Sequence, residues 1–193
     1  MICVSNLGQK SSAKLPNFKT KRIFEKKGKE VENKNKIKSE KINVSNKTLN
    51  KFQNRLLLVF TKEIRESSKI IESQRINASQ ILKKYDSIKN LAISFESLLK
   101  REKFNSIGKL FHNHWQIKKK LSSMITSNYL DNIYLKLMKH RSFTGGKIIG
   151  AGGGGFFLMS TKSKKESIKY LKKNKFLFAN LIFEHSGSTL ING

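Results

Sequence analysis

The chain has 193 residues, with 40 Lys and Arg against 13 Asp and Glu, for a formal net charge of +27. Its apolar share of 37% is low for a fully packed globule, yet thirteen phenylalanines supply material for one core. A single cysteine, Cys3, excludes a disulfide within the chain and fits a reducing, cytoplasmic setting. The opening MICVSNLGQK has no basic leader with a long apolar core. No run reaches the ~20 apolar residues of a spanning helix, so no membrane role is expected. The charge balance leaves two readings open: a lysine-rich background, or attraction to polyanions such as nucleic acid.

Residues 1–53 are expected to form a basic, low-complexity, mostly disordered segment. Residues 1–50 hold thirteen Lys/Arg and four Asp/Glu, large apolar residues are scarce, and neither a helical nor a strand period persists. A stretch such as EKKGKEVENKNKIKSEK cannot bury enough apolar surface to offset the entropy of ordering it. The alternative is a basic arm that grips phosphates, against which the interrupting acids and asparagines argue.

Order is expected from residue 54. RLLLVFT (Arg55 to Thr61) reads as a buried strand. RESSKIIESQ (Arg65 to Gln74) follows as a helix. DSIKNLAISFESLLKRE (Asp86 to Glu102) places Ile88, Leu91, Phe95 and Leu98 on one helical stripe. FNSIGKLFHNHWQIKKKLSSM is read as a second amphipathic helix with Phe104, Ile107, Leu110, Phe111 and Trp115 inward. NYLDNIYLKLMKH (Asn128 to His140) is read as a third, with Leu130, Ile133, Tyr134, Leu137 and Met138 inward and Ser127 or Asn128 as its cap. KIIGA and GFFLMST read as strands, KSKKESIKYLKKN (Lys162 to Asn174) as a helix, and FLFANLIFEH and STLI as closing strands. Residues 54–193 are thus predicted to be an α+β domain, an antiparallel sheet with helices on one face.

Seven of the twelve glycines fall between residues 145 and 159, in GGKIIGAGGGGFFLM. Two physical uses fit a glycine run between strands. Consecutive amides can converge into an anion-binding nest, or bare backbones can touch where a Cβ would block them. No Gly-Lys-Ser/Thr follows, and a strand rather than a helix succeeds the run. The signatures of P-loop and dinucleotide-binding proteins are therefore absent.

GGKIIGAGGGGFFLM resembles the third conserved motif of the GHMP kinases, the family of galactokinase, homoserine kinase and mevalonate kinase. RLLLVFTKEIRESSKIIESQ, FHNHWQIKKKLSS and FEHSGSTLI resemble one branch, the D-glycero-D-manno-heptose 7-phosphate kinases. The resemblance spans about residues 54–193 and corresponds to the carboxyl-terminal domain of those enzymes. It implies a ferredoxin-like fold and phosphorylation of a sugar hydroxyl that depends on ATP and Mg²⁺. By that resemblance Gly150, Ala151, Gly152, Gly153, Gly154 and Gly155 form a nucleotide or phosphate loop, where amides can approach a transferring phosphate closely. Thr61 and Arg65 match a Thr-x-x-x-Arg pattern that would face the sugar phosphate, and Lys147 would contact phosphate. The plainer alternatives are a surface arginine opening a helix, and a lysine on the exposed face of its strand.

In that family the nucleotide loop, the Mg²⁺ ligand and the catalytic acid belong to an amino-terminal domain. NLGQKSSA (Asn6 to Ala13) echoes the nucleotide loop only faintly, with extra residues and neither a strand before it nor a helix after it. No catalytic or metal-binding residue is therefore assigned. The chain alone is expected to lack kinase activity, and a separately encoded amino-terminal half is an expected partner, with self-association through an uncovered face as another. The competing reading is a non-catalytic basic protein that binds polyanions. His112 and His114, at i and i+2, cannot share a helix face and are expected to be surface histidines rather than metal ligands. IKKKLSS reads as a basic helix end that suits the helix dipole.

Overall fold

In the computed structural model, residues 42–183 are described, except positions 65 and 77 and the side chains of residues 75–80. Residues 1–41 of the basic segment and the strand expected over 188–191 lie outside the described residues.

The packed structure begins earlier than residue 54. Helix α1 (Asn46–Gln53) starts on Ser45, whose hydroxyl accepts from the Thr48 amide at 3.1 Å. The buried Phe52 ring lies 5.8 Å from those of Phe95 and Phe104. Thr48 and Lys51 donate to Glu102 at 2.9 and 2.6 Å. Two turns of helix carrying a single large aromatic are too short to show a period, which is why the sequence pattern hid them.

Four strands follow in the chain: β1 (Leu56–Phe60), β2 (Phe143–Ile148), β3 (Phe156–Thr161) and β4 (Phe178–Asn180). They form one sheet in the order β2-β3-β1-β4, antiparallel throughout. The helices are α2 (Ser67–Ile76), α3 (Ala78–Lys100), α4 (Phe104–Lys118), α5 (Asn128–Lys139) and α6 (Lys164–Lys173), with a 3₁₀ turn at Ser123–Ile125. The expected α+β architecture is present.

β1 lies inside the sheet and all five of its side chains are buried, as its unbroken apolar run requires. Alternation sends them to two clusters. Leu57 and Val59 join Trp115, Leu130, Leu137, Phe157 and Leu171, while Leu56 and Leu58 join Phe52, Leu99, Ile107 and Phe111. Helical side chains enter both clusters, and α4 contributes to each.

The helix expected to run from 104 to 124 stops at Lys118. The Lys120 and Leu121 amides turn back onto the carbonyls of Ile117 and Lys118, both at 3.0 Å, and Ser122 captures the Met124 amide at 3.1 Å to start the 3₁₀ turn. This break positions Ile125 beside the glycine loop. The Ser127 cap of α5 forms as expected, accepting from the Leu130 amide at 3.2 Å.

β2 begins before the strand read from the sequence and contains Gly145 and Gly146. A Cβ on Gly145 would stand 1.8 Å from the Gly108 carbonyl oxygen, and one on Gly108 would stand 2.0 Å from Thr144 Oγ1. Helix and strand backbones therefore touch. The Tyr134 hydroxyl lies 3.2 Å from both the amide and the carbonyl of Gly146, satisfying the outer edge of the strand. Contacts of residue 108 with 145, 111 with 147 and 118 with 150 show α4 and β2 running side by side in the same direction.

Candidate functional site

The loop from Ile149 to Gly155 joins two antiparallel strands and is held at three points. The Ile149 amide donates to the Phe156 carbonyl at 2.9 Å, closing its base. The Gly153 amide donates to the Ile125 carbonyl at 2.7 Å, fixing it to the 3₁₀ turn. The Gly155 amide donates to the Glu63 carbonyl at 2.7 Å, fixing it to the segment that leaves β1.

These tethers require bare backbone. A Cβ on Gly152 would come 2.9 Å from Ile125 Cγ2, and one on Gly154 would come 2.5 Å from the Glu63 carbonyl oxygen. Gly150 and Gly155 differ. Nothing lies within 4 Å of the Cβ position at either, although φ is 79° and 88°. Among the described residues, the amides of Gly150, Ala151, Gly152 and Gly154 donate to no partner. The loop thus combines both uses weighed for the sequence: crossing points at Gly152 and Gly154, and donors left available between them.

Thr61, fully buried, fastens this loop to β1. Its amide and its hydroxyl each donate to the Gly155 carbonyl at 2.9 Å, and the hydroxyl accepts from the Glu63 amide at 3.3 Å. Arg65 lies outside the described residues. The Glu63 carboxylate accepts from Ser127 Oγ at 3.4 Å, beside the start of α5.

Two lysines converge on the open end of the loop. Lys147, on β2, sets its ammonium 5.6 Å from the centre of the Phe111 ring, and burial pushes its pKa down. Lys118, in the last turn of α4, donates to the Gly150 carbonyl. Burial, and then the nearby charge of Lys147, hold Lys118 down to about 8. One turn earlier, His114 is held down to about 4 by burial, then by Lys147 and Lys118. Its Nδ1 is buried with no hydrogen-bond partner among the described residues. Neither lysine pairs with an acidic side chain among the described residues.

The structure therefore brings Gly150–Gly155, Thr61 and Lys147 into one region. Lys118 and His114 join them, and the sequence reading missed both. Their signal was the spacing: Phe111, His114 and Lys118 follow one another at i, i+3 and i+7 on the face that meets β2. His112 is no free surface histidine either, since its Nδ1 lies 2.9 Å from the Tyr134 hydroxyl.

Chemically, amides and ammonium groups fit a phosphate. They do not fit a divalent cation: among the described residues no three His, Cys, Asp or Glu side chains group together. No described helix is long and apolar enough to cross a membrane.

No family model matches the chain. It is 27% identical over 150 residues to the D-glycero-alpha-D-manno-heptose 7-phosphate kinase of Campylobacter jejuni, covering 76% of this chain and 44% of that enzyme. The chain thus spans less than half the length of this curated relative. Its fold matches that of L. major mevalonate kinase with a TM-score of 0.56 at 15% identity, over 67% of this chain and 43% of the other. It matches Methanococcus jannaschii mevalonate kinase with a TM-score of 0.54 at 23% identity, over 74% and 44%. In fold and in sequence the chain resembles the carboxyl-terminal domain of the GHMP kinases.

Proposed function

We propose that this chain supplies the carboxyl-terminal half of an ATP-dependent sugar kinase, acting on a phosphorylated sugar like the heptose 7-phosphate of its curated relative. The observation that supports this most directly is the loop 150–155. Its ends are pinned to β1 and the 3₁₀ turn, while four of its amides carry no partner among the described residues.

Phosphoryl transfer is mainly positioning and charge stabilisation, because the transferring group carries its negative charge on its equatorial oxygens. Fixed amides that need no reorganisation stabilise that charge well. In this reading Gly150, Ala151, Gly152 and Gly154 face the phosphates and Lys147 balances their charge. Thr61 acts as a positioning residue, holding Gly155 and through it the loop. ATP phosphates fit these donors. Mg²⁺ finds no acidic cluster among the described residues, so no step is assigned through it. The nucleotide loop and the acidic groups are assigned to an amino-terminal half.

The test is reconstitution. The purified chain is assayed with ATP, Mg²⁺ and heptose 7-phosphate, alone and mixed with the amino-terminal half of a heptose 7-phosphate kinase. The reading expects ATP-dependent product only in the mixture. Product from the chain alone would remove the need for a second half, and no product from a folded mixture would sink the kinase reading.

A second reading, non-catalytic polyanion binding, draws on the formal net charge of +27. It expects retention on DNA that falls steeply and log-linearly with salt. Weak retention without a steep slope would dismiss it.

A further inference from the structure

The meeting of α4, β2 and the glycine loop holds two lysines that the fold itself does not use. Helix and strand touch at Gly108 and Gly145, then run side by side toward the loop. Along that seam Phe111, His114 and Lys118 face β2, and Lys147 reaches over Phe111 from the other side. The Lys118 ammonium stops on the Gly150 carbonyl, one residue from the amide of Ala151. Half-buried cations that sit close together without an acidic partner cost stability, and such arrangements concentrate where a ligand supplies the missing charge.

We propose that Lys118, Lys147 and the amides of Gly150, Ala151 and Gly152 form a binding site for a phosphate monoester dianion. The lysines supply charge from the helix and the strand, and the amides supply directed donors from the loop. Exposed lysines elsewhere on the chain have only the first of these. Aromatic and imidazole surfaces below the seam, from Phe111 and His114, keep that floor free of competing carboxylates. The site deepens the kinase reading by naming a phosphate-recognising element within it. Two sources share the chemistry: the phosphate already carried by a sugar substrate, and the phosphates of the nucleotide.

The charged neighbour that acts on Lys118 is Lys147 on β2; His114, on its own helix, is neutral near pH 8. Lys118 is held down to about 8. Binding a dianion restores its full protonation, so binding at pH 8 should take up protons from solution, about half a proton per site, and binding at pH 6 should take up none through this group.

The test is calorimetry on the full chain with inorganic phosphate as probe, at pH 8 in two buffers of different ionisation enthalpy. Lys118→Gln and Lys147→Gln should each weaken phosphate binding about tenfold. The Lys→Arg variants should stay within about threefold, because they keep the charge. Lys109→Gln with Lys165→Gln, at exposed positions, controls for general attraction to a basic chain. Circular dichroism melting confirms that each variant is folded. Unchanged affinity in both Lys→Gln variants, an equal loss in the exposed control, or no proton uptake at pH 8 would overturn the site.

Two further arms, heptose 7-phosphate and ATP, identify the source by which of them binds more tightly than inorganic phosphate and loses that advantage in the Lys→Gln variants. If neither gains over inorganic phosphate, the phosphate monoester assignment fails. A failed reconstitution with intact phosphate binding would sink the kinase reading and leave the site. Lost phosphate binding in a chain that still completes the kinase would sink only the site.

Discussion

Gly145 and Gly146 lie inside β2, pressed against α4 and bonded to the Tyr134 hydroxyl, while Gly150 and Gly155 stand in a loop with nothing within 4 Å of their Cβ positions. Five residues separate these settings in the chain. In the strand, missing side chains let two backbones touch. In the loop, Gly152 and Gly154 do the same at Ile125 and Glu63, but between them amides remain without a partner among the described residues. Glycine is thus used twice, once to close an interface and once to leave backbone open, and only the second use has chemistry to offer.

Substitution can break this contrast. The largest effect is expected for Gly145→Val, whose Cβ would meet the Gly108 carbonyl oxygen at 1.8 Å. Backbone on both sides leaves nothing flexible to yield, so destabilisation of at least ~3 kcal/mol is expected in urea unfolding. Gly154→Ala should follow at roughly 2–3 kcal/mol, since its Cβ would stand 2.5 Å from the Glu63 carbonyl oxygen with φ at 150°. A midpoint like that of the unsubstituted chain in either variant would refute the packed assignment.

Thr61→Val tests the fastening of the loop to β1. It keeps the shape but leaves the Gly155 carbonyl with only the Thr61 amide, for an expected loss of about 1–2 kcal/mol. In the reconstituted kinase it should lower kcat more than it raises KM, because it misplaces the loop rather than removing a substrate contact.

The pH dependence addresses the seam beside the loop. His114 is held at about 4 in the folded chain, below its ordinary 6.5. The unfolded chain therefore binds the proton first as pH falls. Stability that is full above about pH 6.5 is lost as pH falls through 6.5 toward 4, by on the order of 1–2 kcal/mol after allowance for the solvent that still reaches the ring. His114→Gln should flatten that slope in urea midpoints compared at pH 7.5 and 4.5, and an unchanged slope would show that another group carries it.

The smallest effect on stability is expected for Gly155→Ala. The added methyl has room, and only a positive φ of 88° opposes it, so about 1 kcal/mol is at stake. A stability loss as large as that of Gly145→Val would erase the distinction between the two glycine settings.

Much of this was legible from residue types and their order. The apolar run of β1, the stripe of α5 and its Ser127 cap follow from local rules, and they appear as read. The helix over 46–53 was not legible, because one phenylalanine in two turns makes no pattern and its burial depends on Phe95 and Phe104, about fifty residues away. The stop of α4 at Lys118 was hidden because IKKKLSS has good helix formers throughout. A single hydroxyl, Ser122, decided against them by capturing the Met124 amide.

By itself the sequence determined an α+β domain and the presence of a glycine loop between two strands, since both rest on patterns of neighbours along the chain. The tertiary structure alone decided which glycines close an interface and which leave backbone open. It also placed Lys118, from a helix some thirty residues earlier, on the Gly150 carbonyl beside Lys147. Contact and burial depend on which segments meet in space, and local periodicity does not carry that information.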